Sequence, residues 1–162
     1  MQTAYLAGGC FWCVEAIFQR VNGVKELKNG YCNGSTQNPT YEAICTGQTG
    51  HAEVLKIEYD ESVVSYASLL EVFVETHNPM FLNQQGADKG TQYRSAIFYT
   101  NDLQKQIATS VIGNIKGAVT EITELDVFYP AEAYHQDYFN NNANQPYCQM
   151  VILPKINKYF KQ

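Results

Sequence analysis

Residues 3–21 read Thr-Ala-Tyr-Leu-Ala-Gly-Gly-Cys-Phe-Trp-Cys-Val-Glu-Ala-Ile-Phe-Gln-Arg-Val. Two patterns meet in this stretch. Residues 3–7 are a short apolar strand candidate. From Cys10 onward, Val14, Ile17, Phe18 and Val21 follow the i, i+3, i+4, i+7 spacing of an amphipathic helix, predicted over 10–21. Gly8-Gly9 lets the backbone turn sharply between them. A strand running into an amphipathic helix is a unit of a layered α/β fold.

The same alternation continues along the chain. Residues 24–33 read as a strand ending in a turn at Asn33-Gly34, and 40–46 as a short helix stopped by Gly47. Residues 52–59 alternate, with Leu55, Ile57 and Tyr59 on one face. Ser65 is placed to cap a helix whose stripe is Tyr66, Leu69, Leu70, Phe73 and Val74, ending near His77-Asn78-Pro79. Residues 79–92 form a long loop, which is uncommon without a function. A strand is expected over 94–99. A helix follows over 101–116, with Leu103, Ile107, Val111 and Ile115 inward and Gly117 as its stop. A strand over 121–129 would put Leu125, Val127 and Tyr129 on one side. Helices over 131–139 and 154–161 complete the pattern. The expected fold is α+β: a two-layer α/β sandwich with a mixed, mostly antiparallel sheet and flanking helices, ferredoxin-like, in one catalytic domain over 1–162.

Composition narrows the function classes. The chain has 162 residues, 45% hydrophobic and 17% charged, with a formal net charge of −5. A packed core is expected rather than disorder. No basic run is present to neutralise phosphates, so nucleic acid is not expected as a partner. No apolar stretch is long enough to span a bilayer, and the segment before Cys10 lacks the pattern of a signal peptide. The five cysteines are Cys10, Cys13, Cys32, Cys45 and Cys148. An odd number without a secretion signal points to a reducing, cytoplasmic setting rather than a disulfide framework. A monomer is expected.

Cys10 carries the strongest chemical signal. It stands where a helix begins, and free N–H groups and the helix dipole there favour a thiolate. A lowered thiol pKa is therefore expected. Phe11 and Trp12 could wall a pocket for an apolar group such as a methyl. A small buried hydrophobe is the competing reading of Cys10, and core packing that of the two rings. Cys13 completes C-x-x-C, which suits a redox pair or half a zinc site. Cys32 and Cys45 do not supply a second pair, so no metal is expected.

Glu53 shares its register with Leu55, Ile57 and Tyr59, so it points to the core side. Loss of hydration there raises a carboxyl pKa and can make it a general acid. A solvated strand end is the alternative. His51 and His135 are candidate bases or hydrogen-bonded structural residues. His77 at a helix end fits a favourable dipole contact. Cys45 reads as structural, in the apolar register of its short helix.

Gly9-Cys10-Phe11-Trp12 resembles the signature of the peptide methionine sulfoxide reductase A family. The resemblance continues through Asn38-Pro39-Thr40-Tyr41, Thr49-Gly50-His51-Ala52-Glu53 and Gly90-Thr91-Gln92-Tyr93-Arg94-Ser95. It extends through Phe128-Tyr129-Pro130-Ala131-Glu132, His135-Gln136 and Pro146-Tyr147-Cys148. These blocks span nearly the whole chain in order. The resemblance implies reduction of the S-epimer of methionine sulfoxide, free or in proteins, without a cofactor. It implies Cys10 as nucleophile, Glu53 as proton source, and Tyr41 and Tyr93 as hydrogen-bond donors to the sulfoxide oxygen. Phe11 and Trp12 would hold the methyl group and Asp88 would orient the substrate. Cys10 would be left as a sulfenic acid. Cys148, read as lying in a mobile loop, would resolve it first, and thioredoxin would reduce the resulting disulfide. Most relatives carry glycine where this chain has Cys13, so Cys13 could resolve the sulfenic acid directly or take the disulfide onward. A general dithiol oxidoreductase and a cysteine metal module are the competing functions.

Overall fold

A computed structural model describes residues 1–160. Its centre is a six-stranded sheet in the order β7-β6-β1-β3-β2-β8. The strands are β1 (Gln2–Ala7), β2 (Val24–Cys32), β3 (Ala52–Tyr59), β6 (Ala96–Tyr99), β7 (Glu121–Glu124) and β8 (Tyr129–Pro130). All neighbours pair antiparallel except β6 and β7, which are parallel. The mixed, mostly antiparallel sheet is as expected.

Alternation sorts the strand residues between two faces. Ala4, Leu6, Leu55, Ile57 and Ile97 face the helices. There they meet Ile17 and Phe18 of α1 (Phe11–Phe18), Leu69, Leu70 and Phe73 of α3 (Tyr66–Thr76), and Ala108 and Ile112 of α4 (Asp102–Gly113). Each fully buried Leu, Ile or Phe contributes roughly 1.5–3 kcal/mol. Ala7, Cys32, Ala52, Val54, Ala96 and Phe98 form a smaller cluster on the other face, covered by Leu125 and Phe128.

Several elements differ from the sequence expectation. Helix α4 turns Leu103 outward, 65% exposed, and buries Gln104 instead. The Gln104 amide donates to Thr3 O and its oxygen accepts from Thr100 N, both at 2.9 Å, so backbone satisfaction rotates the stripe. The strand expected over 121–129 breaks after Glu124, because Asn33 and Asp126 bond reciprocally across the gap. Val127 is left exposed. Residues 131–139 are not one helix. A 3-10 turn, Ala133–His135, is followed by Asp137 at φ 55° and the short α5 (Tyr138–Asn141). The cause is Gln136, whose side chain bonds both the N–H and the carbonyl of Asn29 on β2. The long loop contains a hairpin, β4 (Gln84–Gln85) with β5 (Asp88–Lys89), and a 3-10 turn, Thr91–Tyr93. The last helix, α6, spans Leu153–Tyr159. Lys161, the expected end of that helix, lies outside the described residues.

Candidate active site

The turn from β1 into α1 is packed from every side. A Cβ on Gly8 would come within 2.9 Å of the Phe73 ring and 3.0 Å of His77, and one on Gly9 within 2.8 Å of Gln85. Gly9 also takes φ 88°, which favours glycine, and its N–H donates to Tyr93 O at 3.2 Å. These contacts hold Cys10 at the N-cap of α1, only 9% exposed. Burial matters more here than the helix terminus. Burial pushes the Cys10 thiol well up, with its hydrogen bond to Cys13 and the Glu53 charge adding to the effect, and the Trp12 N–H opposing it. The lowered pKa expected from the sequence is thus not a property of the reduced site. Cys13, one turn on, is instead brought down to about 7, chiefly by its hydrogen bond from Cys10.

Glu53 lies on β3 directly under this helix start. It is 1% exposed, and its Oε1 accepts from Phe11 N at 3.1 Å. Loss of hydration raises it to about 8; the Phe11 N–H opposes this, and the Asp88 and Cys13 charges add to it. Tyr41 of α2 (Tyr41–Cys45) and Tyr93 both feel the Glu53 charge. Burial first, then Glu53, pushes both phenols up, so they remain donors. Tyr41 N donates to Glu132 Oε2 at 2.8 Å, and Tyr31 Oη donates to Glu132 Oε1 at 2.9 Å. That carboxylate fixes the start of α2 against the site.

Trp12 is part of an aromatic wall. It stacks on Tyr138 with ring centroids 3.7 Å apart and donates through Nε1 to His135 Nδ1 at 3.1 Å. Tyr41 sits 4.3 Å from the His135 ring. Trp12 keeps part of its surface open, whereas Phe11 is packed among Tyr31, Ile44 and Ala131. On the other side of the cysteines, Tyr147 Oη donates to Asp88 Oδ2 at 2.7 Å and lies 3.5 Å from Cys13 Sγ.

The remaining candidates separate clearly. His51 braces a turn through Thr36 O and Gly34 N. His77 is not a charged dipole partner: burial lowers it to about 4, and its ring bonds Phe73 O and Ser95 Oγ. Cys45 is exposed, since α2 is short and buries Ile44 instead. Cys32 packs on the far face of the sheet. Cys148 is not in a loop; it begins a π-helical turn, Cys148–Ile152, and is fully buried in the main core. Sequence reasoning assigned no role to Tyr147. Its only signal was its place between Pro146 and Cys148.

The family profile described as "Peptide methionine sulfoxide reductase" matches residues 2–162. The chain belongs to the peptide methionine sulfoxide reductase family. It is 64% identical to the peptide methionine sulfoxide reductase MsrA of Ruthia magnifica, over 100% of both chains. Its fold is similar to that of Mxr1 from Saccharomyces cerevisiae in reduced form, with a TM-score of 0.82 and 34% identity, covering 91% of this chain and 88% of the other. The yeast protein is also solved in complex with Trx2. That structure has a TM-score of 0.56 and 24% identity, covering 85% and 84%, a likeness of fold. The chain is therefore a methionine sulfoxide reductase. Among the described residues, no group of three His, Cys, Asp or Glu converges as a metal site, and no helix is long and apolar enough to cross a membrane.

Proposed function

We propose that Cys10 attacks the sulfur of S-methionine sulfoxide, free or in oxidised proteins, while Glu53 protonates the oxygen. One observation carries this reading: Glu53 is buried under the Cys10 turn and holds its proton to about pH 8. Tyr41 and Tyr93, both kept protonated, hydrogen-bond the sulfoxide oxygen. Trp12 receives the methyl group on its open face, with Phe11 behind it, and Asp88 orients the substrate. The oxygen passes to Cys10 as a sulfenic acid, and methionine leaves.

A second thiol then condenses with the sulfenic acid. The sequence favours Cys148 in this step. Its burial in the main core, and the place of Cys13 one turn along the same helix from Cys10, support Cys13 as the first partner instead. Cys148 feels the Cys13 charge and is the next thiol in line. A thioredoxin, as in the yeast relative's complex with Trx2, is the reductant proposed here. The whole chain acts as one catalytic domain, a monomer in the cytoplasm, without a cofactor. The core order β6-β1-β3-β2, with helices after β1 and β3, supports the ferredoxin-like description.

The test is a single turnover with methionine sulfoxide and no reductant. Wild type is expected to release methionine, and Cys10→Ser none above background. Methionine release by the serine variant would overturn the assignment of the nucleophile.

A further inference from the structure

Tyr147 links two parts of the site that the reaction above uses separately. Its hydroxyl donates to Asp88 Oδ2 at 2.7 Å, and its oxygen lies 3.5 Å from Cys13 Sγ. A phenol has one proton to donate and lone pairs left to accept with. With that proton committed to the carboxylate, the phenol oxygen is free to accept from Cys13 S–H. The ring is held edge-on to Trp12 at 5.9 Å, and Asp88 is carried by the β4–β5 hairpin. The row Cys13, Tyr147, Asp88 is thus oriented to draw a proton away from sulfur.

We propose that Tyr147 and Asp88 are the proton acceptor for Cys13 in the step that closes the first disulfide. This rests on the reading that Cys10 becomes a sulfenic acid. Cys13 S–H gives its proton to Tyr147 Oη as Tyr147 passes its own to Asp88 Oδ2. The Cys13 sulfur then attacks the Cys10 sulfur. An S–S bond forms, the Cys10 S–O bond breaks, and hydroxide leaves. Hydroxide takes up one proton in place of the one Cys13 lost, so the products are a disulfide and water. The Cys13 sulfur is oxidised and the sulfenic sulfur is reduced, with no outside electron carrier.

The surroundings of Cys13 fit this role. It is faced by Cys10 from the helix start, Glu53 from β3, Asp88 from β5, Tyr147 and Cys148 from the segment before α6, and Lys155 from α6. In the reduced protein the bond from Cys10 does most to ease ionisation of Cys13. That thiol proton is gone once Cys10 carries oxygen. The Lys155 charge is then the larger remaining aid to ionisation, and Tyr147 is the group still in hydrogen-bond contact with the sulfur. The result is a thiol helped to ionise after the sulfoxide has been reduced.

Tyr147→Phe keeps the ring against Trp12 and removes the oxygen. Reduced protein is mixed rapidly with methionine sulfoxide, without reductant, and quenched. Free methionine is measured, disulfides are mapped, and dimedone traps sulfenic acid. The ratio of disulfide closure to methionine release is expected to fall at least tenfold against wild type, with more dimedone adduct. The pH at which closure reaches half its maximum should move toward the ordinary thiol value of about 8.5. Asp88→Asn should move ratio and pH profile the same way by less, and it carries the test if Y147F does not fold. A wild-type ratio and pH profile in the variants would overturn the proposal, as would a first disulfide between Cys10 and Cys148. If wild type releases no methionine, the underlying reading fails first, and this one with it.

Discussion

Two buried carboxylates lie against the same helix in contrasting surroundings. Glu15, on α1, is 3% exposed, and Glu53, beneath the helix start, is 1% exposed. Glu15 accepts from two backbone N–H groups, Asp137 at 2.9 Å and Tyr138 at 3.2 Å. Glu53 accepts from one, Phe11 at 3.1 Å. Burial raises both acids. For Glu15 the opposing pull comes from those two N–H groups and the Asn29 amide, which stabilise the charged form, while the Asp137 charge adds a smaller push upward. For Glu53 only Phe11 opposes, and the Asp88 and Cys13 charges push it further, to about 8. A buried carboxylate saturated with donors fastens the chain. One left short of donors among negative neighbours keeps its proton, which is the state the proposed role of Glu53 requires.

The sharpest test of this contrast is Glu53→Gln. It removes the proposed proton source and leaves shape and burial nearly unchanged. Methionine release should fall about 100- to 10,000-fold. A loss below threefold would place Glu53 with Glu15 as a structural acid. It would also favour simple dithiol exchange through Cys10 and Cys13, which has no need of Glu53.

A smaller effect separates the acids by pH. In the proposed reaction Glu53 works in its protonated form, so methionine release should hold below pH 8 and fall about tenfold per unit above it. Stability carries the same sign. The folded value of about 8 exceeds the unfolded value of about 4.3, so the stabilisation is complete below pH 4 and is lost as pH rises through 8. Urea unfolding at pH 6 and pH 9 should therefore show a larger drop for wild type than for E53Q. Equal drops would show that Glu53 ionises normally.

Glu15→Ala should have the least effect on chemistry and a clear effect on stability. Two part-buried N–H groups lose their acceptor, a cost of about 1–3 kcal/mol measurable by urea unfolding. Methionine release at 25 °C should stay within threefold. A thousandfold loss of activity in this variant would erase the distinction.

Much of this was legible in the residues. The β1–α1 turn, the α3 cap at Ser65 and the inward register of Glu53 all follow from spacing, because strand and helix periods are set by backbone geometry alone. Asn101 and Thr40 also cap as their residue types favour, accepting from Gln104 N and Ala43 N. Local pattern failed where a polar side chain satisfies distant backbone. Gln104 rotates α4, Gln136 splits the segment after β8, and the Asn33–Asp126 exchange ends β7 early. Such bonds span up to 107 positions in the chain, and no local window contains both partners.

The residues alone determined which family the chain joins, where the proposed nucleophile stands, and that Glu53 would be poorly hydrated. Those follow from motifs and from a period of two along one strand. The tertiary structure alone decided the protonation of the site. A thiol at a helix start is lowered or raised according to how much water reaches it, and Cys10 is too deeply packed for the helix end to prevail. It also set Tyr147 between Asp88 and Cys13, a meeting of three segments that electrostatics can act on only once the chain has folded.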